Sequence, residues 1–261
     1  MASHAIAFES AVSASDVEEN ERALRIDLAA AYRLVALYGW DDLVFTHLSA
    51  RVPDGRGHFL LNPYNRTFDE ITASSLLKVD ADGNKLGAAL APVNKAGFVI
   101  HSAIHTARAD AHAVIHLHTP YGQAVSAMKC GLLEHTQTAA IIRHDVAYHD
   151  FEGLAMDLGE RERLAHDLGD KGTMILRNHG TLAVGKTVAQ AFLRIYFLER
   201  ACEAQVLMLS AGHDGLNEPP REAIDRVAEQ ASSEGLAQVA EQLVWPALLR
   251  KLDRIDPGFR D

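Results

Sequence analysis

The chain has 261 residues, of which 48% are apolar and 23% charged, and it carries a formal net charge of -10. That size supports a single large core, and the acidic balance argues against nucleic acid or an anionic membrane surface as partner. No apolar run approaches the roughly 20 residues of a membrane span, no secretory signal opens the chain, and two cysteines form no disulfide framework; a cytoplasmic protein is expected.

Residues 1–22 are read as an N-terminal arm, 23–210 as the main domain and 211–261 as a C-terminal helical tail. Ser15 and Glu18 have the spacing of a capping box before a long amphipathic helix, which Gly39 should end. Residues 43–51 and 58–62 read as strands joined by a Pro-Asp-Gly turn. Asn65 falls in a further turn, where an asparagine tolerates positive φ. A strand near Leu76–Val79 leads into Asp80-Ala81-Asp82-Gly83-Asn84. The acidic spacing faintly suggests a calcium loop but lacks the later ligands, so a hairpin turn is the better reading.

Residues 94–109 read as a helix with His101 and His105 one turn apart. One of the two is expected to pack on the sheet, the other to face solvent or support a site. Ala113 to Thr119 reads as a strand in which His116 and His118, at i and i+2, project from one face. A helix follows from Tyr121, mixed strand and loop occupy 138–150, and a short charged helix spans 160–169. His179 follows a second apolar strand and precedes a glycine. Thr187 caps a long helix running to about Ser210. No dinucleotide fingerprint and no phosphate-binding P-loop occur. The irregular alternation fits an α/β sandwich with a mostly antiparallel sheet.

His116-Leu117-His118-Thr119, the segment Asn94-Lys95-Ala96-Gly97-Phe98-Val99-Ile100-His101 and Arg177-Asn178-His179-Gly180 together resemble the class II aldolase/adducin family over about residues 23–210. The resemblance implies a three-layer α/β/α fold with a central antiparallel sheet, a homotetramer, and a divalent metal held by His116, His118 and His179. Zinc is the first expectation, iron(II) or manganese(II) the alternatives. It implies a small-molecule substrate, with Ser49 and Asn62 as candidate binding residues; Lys95 is a further candidate, as a cation that could neutralise an anionic substrate.

Two departures bear on function. The aldolases carry a glutamate, an acid/base group, where this chain has Gly97. Their Gly-Asn-x-Ser-x-Arg motif is here Thr46-His47-Leu48-Ser49-Ala50-Arg51, so a phosphorylated sugar is not the expected substrate. Glu70, Tyr121, His144, Tyr148 and Glu152 stand as candidate replacements for the base, and spacing does not choose among them. The leading expectation is an aldolase-like lyase in which the ion polarises a carbonyl. A non-heme iron oxygenase and a non-catalytic adducin-like binding protein are the rivals.

Overall fold

A computed structural model describes residues 14–87, 90–153 and 159–261, with the side chains of residues 14 and 95–97 excepted. The N-terminal 13 residues of the expected arm lie outside the described residues. Helix α1 (Ala14–Leu37) begins one residue before Ser15, inside the stretch read as arm. It ends where expected: Gly39 takes a φ of +67°, and the Trp40 amide reaches back to the Val35 carbonyl at 3.0 Å. That left-handed turn satisfies carbonyls the helix would leave orphaned.

Eight strands form one sheet: β1 (His47–Arg51), β2 (Phe59–Leu61), β3 (Leu77–Val79), β4 (Lys85–Leu86), β5 (Ala113–Leu117), β6 (Val146–His149), β7 (Thr173–Leu176) and β8 (Gly180–Gly185). Their spatial order is β4-β3-β2-β1-β5-β8-β7-β6, antiparallel throughout except for the β6–β7 pair. The sheet is covered on both faces. Helices α1 and α6 (Val188–Met208) bury Leu28, Tyr32, Leu34, Phe192, Ile195 and Leu198 against one face. Helices α2 (Lys95–Ala107) and α5 (Glu160–Leu168) bury Ile100, Ile104, Leu164 and Leu168 against the other, with the short helices α3 (Pro120–Ser126) and α4 (Gln137–Ile142) between them in the chain. This is the expected three-layer α/β/α sandwich.

Alternation along β5 explains how the layers divide. Ile115 and Leu117 face the α1/α6 layer, while Val114 faces the α2/α5 layer. His116, two residues on from Val114, therefore shares the α2 face. Cross-strand register places His47 of β1 opposite His116, and Ser49 opposite Val114. Directly paired residues share a face, so β1 adds a histidine and a serine to the same side.

Several local expectations are corrected. The strand expected from residue 43 starts at His47, because Leu43 and Thr46 adopt φ of +53° and +66° and fold the segment into a turn. Asn65 is not among the positive-φ residues, so its turn needs no such tolerance. Residues 80–84 form the hairpin turn between β3 and β4, the Asp80 carboxylate accepting from the Asp82 and Asn84 amides at 2.9 Å each. Thr187 caps α6 as expected, accepting from the Gln190 amide.

The segment 211–261 is helical, with α7 (Arg221–Gln230), α8 (Ser233–Gln238) and α9 (Trp245–Ile255). A π-helical turn, Val239–Val244, precedes Pro246, whose ring cannot fit a regular α-helical interior. The segment joins the main core through Trp245, Leu252 and Phe259. Its end is tied down by backbone bonds from Ala73 to Phe259 and from Ser74 to Asp261.

Candidate metal centre

Three loops and strand ends bring the expected histidines together. His116 is the penultimate residue of β5, His118 lies just past its end, and His179 sits in the short turn between β7 and β8. Their ligand nitrogens all lie within 4.8 Å of one another, and no other group of this kind occurs among the described residues. The ring centroids are 4.7–4.8 Å apart.

Local backbone explains the convergence. Asn178 adopts φ +57°, a left-handed conformation that asparagine tolerates, which turns the chain so that His179 precedes β8. Gly180 follows because nothing larger fits. A Cβ there would stand 2.3 Å from the Leu117 carbonyl oxygen and 3.2 Å from the His118 ring. Any side chain would push β8 off β5 and separate His179 from His118.

Second contacts fix the rings. His116 Nδ1 lies 2.9 Å from the Thr181 carbonyl oxygen, and His118 Nδ1 lies 3.1 Å from Asp42 Oδ2. Both partners accept only, so both Nδ1 atoms carry the proton in the neutral rings. Both Nε2 atoms are then bare lone pairs, yet they face each other at 3.0 Å. Two acceptors at that distance repel unless a cation or a shared proton lies between them. The donor set therefore fits a divalent ion, with an acceptor behind the His116 and His118 rings as metal-binding histidines usually have. Burial and the neighbouring imidazoles hold His116 well below the usual histidine range. The same causes, burial first, push His179 down to about 4. Neutral rings are the state a metal needs.

Beneath this centre lies a buried carboxyl. Glu199 of α6 accepts hydrogen bonds from the Thr119 and Thr181 hydroxyls, and Thr119 also accepts from the Gly122 amide. Burial pushes Glu199 up to about 7 against those bonds. The network ties the residue after His118 to the strand behind His116.

The other candidates are scattered. Ser49 is buried on the α2 face, its hydroxyl 2.6 Å from His101 Nδ1 and 2.8 Å from His105 Nε2. Asn62 lies on the opposite face, accepting from the Tyr32 hydroxyl at 3.0 Å. Lys95 is the first residue of α2, and its side chain is outside the described structure. His101 and His105 are both buried, which removes the solvent-facing alternative for the second ring and leaves the packing and supporting ones. Glu70 caps its own turn through Thr67, Glu152 pairs with Arg163, and Tyr148 accepts from the Leu132 amide under the Arg177 guanidinium. Tyr121 packs against the main core, and His144 lines a surface groove with Arg108 and Lys171. Sequence reasoning missed Asp42, His47 and Glu199. Asp42 had no signal, because its turn was read as strand. His47 could have been found by pairing β1 with β5.

The sequence model of the family described as Class II Aldolase and Adducin N-terminal domain matches residues 26–206. The chain belongs to this family. A Caulobacter vibrioides protein whose name places it provisionally with the class 2 aldolases is 54% identical over 245 residues, covering 94% of this chain and 95% of its own length. Alpha-adducin of Mus musculus is 42% identical over 256 residues, covering 93% of this chain but only 34% of that much longer protein. Among solved structures, L-fuculose 1-phosphate aldolase from Glaciozyma antarctica aligns with TM-score 0.82 at 29% identity, covering 95% of this chain and 96% of that one. Among the described residues no helix is long and apolar enough to cross a membrane.

Proposed function

We propose that the chain is a divalent-metal-dependent lyase of the aldolase type, acting on a small carbonyl or hydroxy-acid substrate. The observation that carries this reading is the pair of bare imidazole nitrogens on His116 and His118, with His179 beside them. These three residues would hold the ion, zinc before iron(II) or manganese(II). Three neutral ligands leave it a full double charge and an open position, the ligand pattern of catalytic rather than structural zinc. When bound, the ion supplies Lewis acidity towards a carbonyl or carboxylate. The protein's own work is to hold the rings: Asp42 and Thr181 fix two tautomers, Asn178 and Gly180 fix the approach of the third.

The substrate is proposed to lack the phosphate, given the altered 46–51 segment. Ser49 and Lys95 remain proposed substrate contacts on the α2 side, and Asn62 one on the other face. A homotetramer in the cytoplasm is proposed from the family resemblance and from two cysteines left as free thiols.

The test is elemental analysis of untagged protein purified without chelators, beside the His116→Ala/His118→Ala variant. Stoichiometric metal that the variant loses is the expected result, followed by a screen for carbon–carbon cleavage of small hydroxy-carbonyl compounds. Iron accompanied by oxygen uptake would replace the lyase with an oxygenase. A second reading, a non-catalytic binding protein, is favoured by Gly97 at the position of the usual acid/base carboxylate and by the likeness to alpha-adducin. Folded protein without metal in either sample would make it the better one.

A further inference from the structure

A second group of histidines lies on the α2 face, one strand away from the candidate metal centre. His47, His101 and His105 are 5%, 4% and 1% exposed. With Ser49 they line a small cavity whose remaining walls are Phe59, Leu61, Phe98 and Ser102. Its free space is about 10 Å³, close to the minimum that one water molecule occupies.

The hydrogen bonds here have a fixed direction. His105 Nδ1 lies 2.7 Å from the Ala111 carbonyl oxygen, which only accepts, so that nitrogen carries the proton. His105 Nε2 is then bare and accepts from the Ser49 hydroxyl at 2.8 Å. The Ser49 oxygen, its one proton committed, accepts from His101 Nδ1 at 2.6 Å. His101 Nε2 is left as a bare lone pair, buried and without a partner. Both ring nitrogens of His47 are likewise buried and unpartnered, and the two rings meet edge-on with centroids 5.8 Å apart. A neutral His47 ring offers one N–H and one lone pair.

We propose that His47 and His101 form a hydroxyl-reading subsite, which holds one O–H group that donates to His101 Nε2 and accepts from the His47 N–H. A buried imidazole nitrogen left unpaired costs its full desolvation, and here Nε2 of His101 and both nitrogens of His47 are unpaired around one cavity. Water or an alcohol both donates and accepts, and so pairs one nitrogen of each ring. A carboxylate or phosphate oxygen cannot donate to His101, and an ammonium cannot accept from His47. The subsite thus selects a neutral hydroxyl, supplied by solvent or by a small hydroxylated ligand reaching across from the neighbouring centre. It stands apart from the metal reading, because Ser49 and Ala111 set the tautomers without an ion.

Neutron diffraction from D2O-exchanged crystals of the full chain tests this directly. The expected map has deuterium on Nδ1 of both His101 and His105, none on His101 Nε2, and one D–O group between His101 and His47. A second crystal soaked in hydroxyacetone separates the sources. A retained D2O assigns the site to solvent, and replacement by the probe's hydroxyl assigns it to the ligand. Deuterium on His101 Nε2, or an empty cavity, would overturn the proposal. In Ser49→Ala, His101 loses its acceptor and should shift its deuterium to Nε2, with loss of the bridging group. The wild-type map decides the matter even if that variant does not fold.

Discussion

Two histidine clusters sit on the same face of the sheet, one strand apart, and they are built for different tasks. In the first, His116 and His118 turn bare nitrogens towards each other beside His179, with an acceptor behind each of those two rings. In the second, His101 and His105 spend nitrogens on a serine between them, and one bare nitrogen faces a water-sized cavity. The same side chain serves both because the partner on Nδ1 decides what Nε2 can do. Convergent bare nitrogens suit a cation. A directional chain ending in one bare nitrogen suits a hydrogen-bond donor.

The largest effect should separate the clusters by metal affinity. His179→Ala is expected to lower zinc affinity by at least about 100-fold, since it removes one of three ligands, whereas His101→Ala should keep the metal. Competition with a chromogenic chelator measures both, and equal loss in the two variants would merge the clusters into one site.

Acid should act strongly through the second cluster. Burial pushes His47 and His105 down to about 3 and His101 well below the usual range. Between the unfolded value of about 6.5 and the folded values, the unfolded chain binds more protons, so stability is complete above about pH 6.5 and is lost as pH falls towards 3. Each such histidine contributes a slope of up to about 1.4 kcal/mol per pH unit. Urea midpoints at pH 7.5, 6 and 5 should fall in that order, and a flat series would mean that these rings are not held neutral.

Asp42→Asn should be milder. It keeps an acceptor but removes the charge behind His118, and metal affinity is expected to drop by about 10–100-fold with the fold intact. Calorimetric zinc titration reads this, and unchanged affinity would show that Asp42 does not orient the ring. Ser49→Ala, at the other cluster, strands one donor and one acceptor, and should cost about 1–3 kcal/mol in equilibrium unfolding with metal content unaltered.

How legible each cluster was in the sequence follows from its geometry. His116 and His118 share a strand, so period-2 alternation alone put them on one face, and Asn178-His179-Gly180 carried the turn chemistry that brings in the third. His101 and His105 were visible as an i, i+4 pair, but helical periodicity does not say which face packs on the sheet. Asp42 was hidden because positive φ at Leu43 and Thr46 converts an apparent strand into a turn, and neither residue type signals that conformation. The glycine at position 97, by contrast, was read from the sequence directly.

By itself the sequence determined the layered α/β architecture, the long helices α1 and α6 with their ends at Gly39 and Thr187, and the three candidate metal ligands, because periodicity, capping and turn chemistry are local. Only the tertiary structure decided that β1 lies between β2 and β5. That pairing sets His47 against His116 and Ser49 within reach of α2. It also sent Asn62 to the other face and drew the last helix into the main core. Strand order and register depend on contacts between residues distant in sequence, where burying both faces of the sheet outweighs any local preference.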